Sequence, residues 1–119
     1  MRAMTVRQDD FEGAMIDWDR IEELKDELGA EDFPEVVTVF LGEVEDELAT
    51  LDATTDTAAL AARLHFLKGS ALNLGFAAFS NLCLTGEKAV AENGIQAAQL
   101  DVIRSCFVKS RTALLAGLG

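Results

Sequence analysis

His65, Lys68, Gly69 and Leu72 stand at i, i+3, i+4 and i+7, the spacing that gathers residues into one strip on a helix. An uncharged imidazole is nucleophilic near neutral pH and can take a phosphoryl group on a ring nitrogen. A lysine one turn away can offset the negative charge of that group. Glycine inside a helix costs about 1 kcal/mol relative to alanine, and its usual reason is the close approach of another surface. Taken singly, each residue has an ordinary explanation as part of a solvated helix face. Taken together they describe an accessible imidazole with a cation beside it and open space above it. The chain has no glycine-rich phosphate loop, no GxxxxGK(S/T) run and no kinase signature, so it can hold a phosphoryl group without a visible means of drawing one from a nucleotide. The donor must then be another protein. A hydrolase using His65 as general base would need a nucleophile, an oxyanion site or a metal nearby, and the sequence offers none.

The element that must position this strip is a helix beginning after Asp56, which can cap it, and ending or bending at Gly75. Leu60, Leu64, Leu67, Ala71 and Leu74 recur at steps of 4, 3, 4 and 3, an apolar seam of bundle type. Advancing about 100° per residue puts His65 about 140° from the centre of that seam and Gly69 about 180° from it. Ala61, about 100° from the seam, lies one turn before His65 and is counted with Gly69 and Leu72 as a partner-facing residue.

Four further helices are expected. The first is short, capped by Asp17, with Trp18, Ile21, Leu24 and Leu28 at helical spacing and a stop at Gly29. The second starts at Asp32 with Pro34 in its first turn, and its stripe runs Val37, Phe40, Val44, Leu48 and Leu51. After the His65 helix, a fourth turns Phe79, Leu82, Cys83, Gly86 and Val90 inward and stops at Asn93-Gly94. The fifth runs from Gln96 to Leu115 with Leu100, Ile103, Phe107 and Leu114 as its stripe. No alternating strand pattern competes. The fold expected is all-α, an antiparallel four-helix bundle with an additional short N-terminal helix. Residues 1–16 read as a flexible leader, with Phe11, Met15 and Ile16 as its possible contacts with the body.

Composition sets the remaining bounds. The chain has 119 residues and a formal net charge of −11, which suits one acidic domain. Residues 1–56 hold 18 acids and 4 bases, whereas residues 57–119 hold 3 acids and 6 bases. Such a chain repels phosphate backbones and anionic lipid, so neither nucleic acid nor a membrane surface is expected as a partner. The uncharged stretch from Gly69 to Gly86 is broken by Asn73, Gly75, Ser80 and Asn81, and reads as two amphipathic pieces rather than a span. Cys83 and Cys106 make no disulfide framework, and one histidine makes no zinc or haem site. A cytoplasmic monomer with two buried, reduced thiols is the expectation.

The run AARLHFLKGSALNLGFAAFSNLCLTGEKAVAENG from Ala61 to Gly94 resembles the signature of the histidine-containing phosphotransfer, or HPt, domain. The matching elements are His65, Lys68-Gly69-Ser70, Asn73, Gly75, Leu82-Cys83, Glu87 and Gly94. The upstream residues Leu24, Gly29, Phe40 and Leu48 also look like the family's first two helices, so residues 17–119 are taken as one HPt-like domain. The resemblance implies that His65 is the phosphoryl acceptor, Lys68 the neighbour that neutralises its charge, and Gly69 the residue that keeps the surface open. It implies receiver-domain aspartates of response regulators and a sensor or hybrid histidine kinase as partners, with no cofactor on this chain and Mg2+ on the receiver. The chain would then be a carrier in a two-component phosphorelay and not an enzyme, either free-standing or excised from a larger kinase. A module that docks receivers or kinases without being phosphorylated is the alternative. Leu84 stands where some members place a polar or charged residue, and no role is assigned to it.

Overall fold

Asp17 turns the chain into its first helix by accepting a hydrogen bond from the Arg20 amide at 3.2 Å on its side chain. The computed structural model describes residues 15–118; the proposed leader, apart from Met15 and Ile16, lies outside the described residues. Helix α1 spans Trp18–Leu28, α2 Phe33–Leu51, α3 Thr57–Leu74, α4 Ala77–Asn93 and α5 Leu100–Leu118, with a 3-10 turn at Ile95–Ala98 between α4 and α5. No strand occurs among the described residues. The fold is the all-α bundle expected, with α2 to α5 as its four long helices and α1 as the short addition.

Cross-helix pairs fix the antiparallel register. Between α3 and α4, His65 meets Glu87 while Lys68 meets Ser80. Between α2 and α5, Arg104 reaches the Leu48 carbonyl and the Asp52 carboxylate, and Arg111 pairs with Glu45 farther back along α2. All five seam residues of α3 are buried, as are Phe79, Cys83, Gly86 and Val90 of α4 and Ile103, Phe107 and Leu114 of α5. Helix α1 is latched to the end of α3. The Asp17 amide donates to the Gly75 carbonyl at 2.7 Å and Arg20 Nε to the Asn73 carbonyl at 2.9 Å. Gly75 takes φ +84 there, and a Cβ on it would stand 3.0 Å from the Asp17 carbonyl oxygen. That position needs glycine on both counts.

Three sequence expectations require correction. Asp32 precedes α2 but makes no side-chain capping bond; its own backbone is already αR, and the Phe33 amide bonds back to the Gly29 carbonyl. Within α2 the stripe residue Phe40 is half-buried against the core, while its neighbour Leu41, outside the expected stripe, is buried. Helix α5 begins at Leu100 and not at Gln96, because residues 95–98 form the 3-10 turn and Gln99 turns left-handed at φ 54. Met15 and Ile16 do pack on the body, Ile16 being 2% exposed.

Candidate functional site

The site is built on α3, whose start is fixed by Asp56 accepting from the Ala59 amide at 2.9 Å and whose end is fixed by Gly75. With Leu60, Leu64, Leu67, Ala71 and Leu74 sunk in the core, helix geometry leaves His65 pointing outward. Its side chain is 62% exposed. Nδ1 of the ring lies 3.2 Å from both carboxylate oxygens of Glu87 on α4. An ionised carboxylate only accepts, so the ring nitrogen facing it is the one that carries the proton. In the neutral imidazole, Nε2 then holds the free lone pair, on the edge turned away from Glu87.

Lys68 lies half-buried on the flank of α3 that faces α4, and its carbonyl accepts the Ser80 hydroxyl at 3.1 Å. No carboxylate among the described residues lies within 4.0 Å of its ammonium. A Cβ placed on Gly69 would meet nothing within 4 Å. Leu72 is 55% exposed. His65, Gly69 and Leu72 thus form one open strip with Lys68 at its edge. Ala61 does not join it in the same way: it is half-buried and rests against the core.

Two residues of this surface were given no role by sequence reasoning. Glu87 was noted only as a matching element, and its partnership with His65 spans 22 positions and two helices. Phe66 is 57% exposed beside the strip; a large aromatic residue off the apolar seam was the available signal. Among the described residues no group of three or more His, Cys, Asp or Glu is placed to hold a metal ion. None of the described helices is long and apolar enough to cross a membrane.

The structure thus brings together an exposed imidazole on a long helix, a carboxylate from the next helix that meets its Nδ1, a lysine and a bare glycine. Residues 35–116 match the Hpt domain family, and the chain belongs to that family. Its domains are helical bundles that carry phosphoryl groups in phosphorelays, as phosphocarriers rather than catalysts. No curated protein and no solved structure shows significant similarity to the chain.

Proposed function

We propose that this chain is the phosphohistidine intermediate of a multistep two-component relay, with Nε2 of His65 as the acceptor atom. The Nε2 lone pair attacks the phosphorus of an aspartyl phosphate on a response-regulator receiver domain. The N–P bond forms as the P–O bond to the aspartate breaks, and the carboxylate leaves with the bonding electrons. The product ring keeps its Nδ1 proton and so carries positive charge, which the Glu87 carboxylate stabilises. Lys68 offsets the charge of the phosphoryl oxygens. Reversal onto a second receiver aspartate restores the neutral ring. A magnesium ion on the receiver, not on this chain, completes the charge balance, and a sensor or hybrid kinase feeds the relay upstream. The open docking strip is Gly69 and Leu72, with Ala61 at its half-buried margin.

The observation that carries this reading is the exposed His65 ring, anchored at Nδ1 by Glu87 so that Nε2 is the nitrogen left without that contact. Incubation with phosphorylated receiver domains of the source organism should place an acid-labile, base-stable phosphoryl group on the wild-type chain. The chain has one histidine, so His65→Gln should remain helical and take no such label; histidine-type label on that variant overturns the assignment. Glu87→Gln should still be labelled, at a rate lowered about tenfold, because the charge-assisted contact becomes a neutral one. A Glu87→Gln rate equal to wild type would show that the carboxylate contributes nothing to transfer.

A further inference from the structure

The acids of α2 fall into two sets. Glu45 and Glu47, on its flanks, pair with Arg111 of α5 and Arg63 of α3. Glu35, Glu43 and Asp46 are exposed, and among the described residues no cation lies within 4.0 Å of their carboxylates. These free acids border apolar surface. Val39 is 58% exposed and Val36 is exposed beside it. With half-buried Phe40 they line a groove of about 410 Å³ whose other members are Glu35 and Glu43. At about 100° per residue, Val36, Glu43, Val39, Asp46, Glu35 and Gly42 share an arc of about 120° on the side of α2 away from its buried stripe. A Cβ on Gly42 would meet nothing within 4 Å, so this glycine gives up helix propensity without gaining a contact inside the described fold.

Charge and shape together say what covers this face. A single valine in solvent needs no explanation, but an apolar ridge at i, i+3 and i+4 beside a bare glycine is a surface on which a second helix packs closely. A second copy of this chain does not fit. Helix α2 contains no Lys or Arg and each chain carries a formal charge of −11, so two such faces repel. Nucleic acid and anionic lipid are repelled for the same reason. A helix with an apolar stripe flanked by lysines or arginines satisfies the valines and the carboxylates at once.

We propose that the outer face of α2 docks a cationic amphipathic helix of a partner protein. Its apolar stripe rests on Val36, Val39 and Phe40, its backbone comes closest at Gly42, and its cations meet Glu35, Glu43 and Asp46. This contact stands apart from the receiver surface. His65 leans on Glu87 of α4, whereas the flank of α3 that faces α2 is the one where Arg63 reaches Glu47 and Thr50.

The test uses the full chain and a fluorescein-labelled peptide of leucine and lysine, ordered so that the leucines form one helical face, beside a scrambled peptide of the same composition. Fluorescence anisotropy should show the ordered peptide binding at least about fivefold more tightly than the scrambled one, and Val39→Ser should remove most of that difference. Gly42→Gln should weaken binding while the melting temperature holds or rises. Glu43→Lys should weaken it most at low salt. Labelling of His65 by a phosphorylated receiver should keep its wild-type rate in all three variants, so a peptide that fails to bind leaves the relay reading untouched. Equal binding of the two peptides, or binding indifferent to Val39→Ser and Gly42→Gln, overturns the proposal as mere attraction of a polycation to an acidic chain. Slowed labelling in Val39→Ser or Gly42→Gln overturns it by assigning the face to the receiver. A wild-type dimer in sedimentation that Val39→Ser disperses overturns it in favour of a second copy.

Discussion

Gly69 on α3 and Gly86 on α4 are both helical glycines near the centre of the molecule, and their surroundings are opposite. A Cβ at Gly69 would meet nothing within 4 Å. At Gly86 it would stand 3.2 Å from Cδ1 of Ile103, 3.4 Å from Cδ1 of Leu64 and 3.5 Å from the Ala98 carbonyl oxygen. Each glycine forgoes about 1 kcal/mol of helix propensity relative to alanine. At Gly86 the return is internal: α3, α5 and the 3-10 turn close over α4, and the bundle gains contact. At Gly69 no part of the described fold collects that return. Gly42 on α2 shares that open environment, but Gly69 sits one turn from an exposed histidine, and the proposed relay assigns its cost to a partner outside the fold. The same residue type therefore packs a core in one place and, in the relay proposed above, opens a docking surface in the other.

The largest expected effect is at the packed glycine. Gly86→Val should drive branched methyls into Ile103, Leu64 and the Ala98 carbonyl, and overpacking of this kind costs about 1–3 kcal/mol. The melting temperature should fall by several degrees, while transfer through His65 in the fraction still folded should be nearly unchanged. Thermal melts paired with transfer rates on the same samples check this. Unaltered stability would mean that α4 stands farther from its neighbours than 3.2 Å implies, and the contrast between the two glycines would collapse.

That contrast was half legible in the sequence. Periodicity at 3.6 residues placed Gly86 among the inward residues of α4 and Gly69 opposite the seam of α3, because both helices carry long, regular apolar stripes and each ends at a glycine, Gly75 and Gly94. The same rule located His65 and Lys68 outside the core. It failed where a single helix does not contain the information. Glu87 faces His65 only because α3 and α4 pack antiparallel in one register, and no spacing within either helix encodes that. The start of α5 was missed for a related reason: IQAAQL has ordinary helix-forming residues, yet Gln99 takes φ 54 and breaks the run. Phe40 and Leu41 both fit a broad apolar arc, and the packing of neighbouring helices on α2 decides which of them goes under.

The smaller and sharper test is a series at position 69. Gly69→Ala should raise stability by somewhat less than about 1 kcal/mol, since the methyl gains helix propensity and meets no atom of the bundle. Gly69→Gln should also fold at least as well as the wild type, because glutamine is a better helix former than glycine and its side chain extends into solvent. The two should part company in transfer. The alanine methyl adds little bulk to the strip formed by His65, Gly69 and Leu72, so its rate should remain near that of the wild type. Glutamine projects into the volume a receiver needs in order to bring its aspartate to Nε2 of His65, and receiver binding and transfer should both weaken. Stability rising or holding while transfer falls is the signature of a docking surface; stability falling is the signature of a helix–helix contact, as expected at Gly86. If Gly69→Gln melts like the wild type and also transfers like it, the open space above Gly69 serves no partner, and the glycine's cost in helix propensity is left without a return.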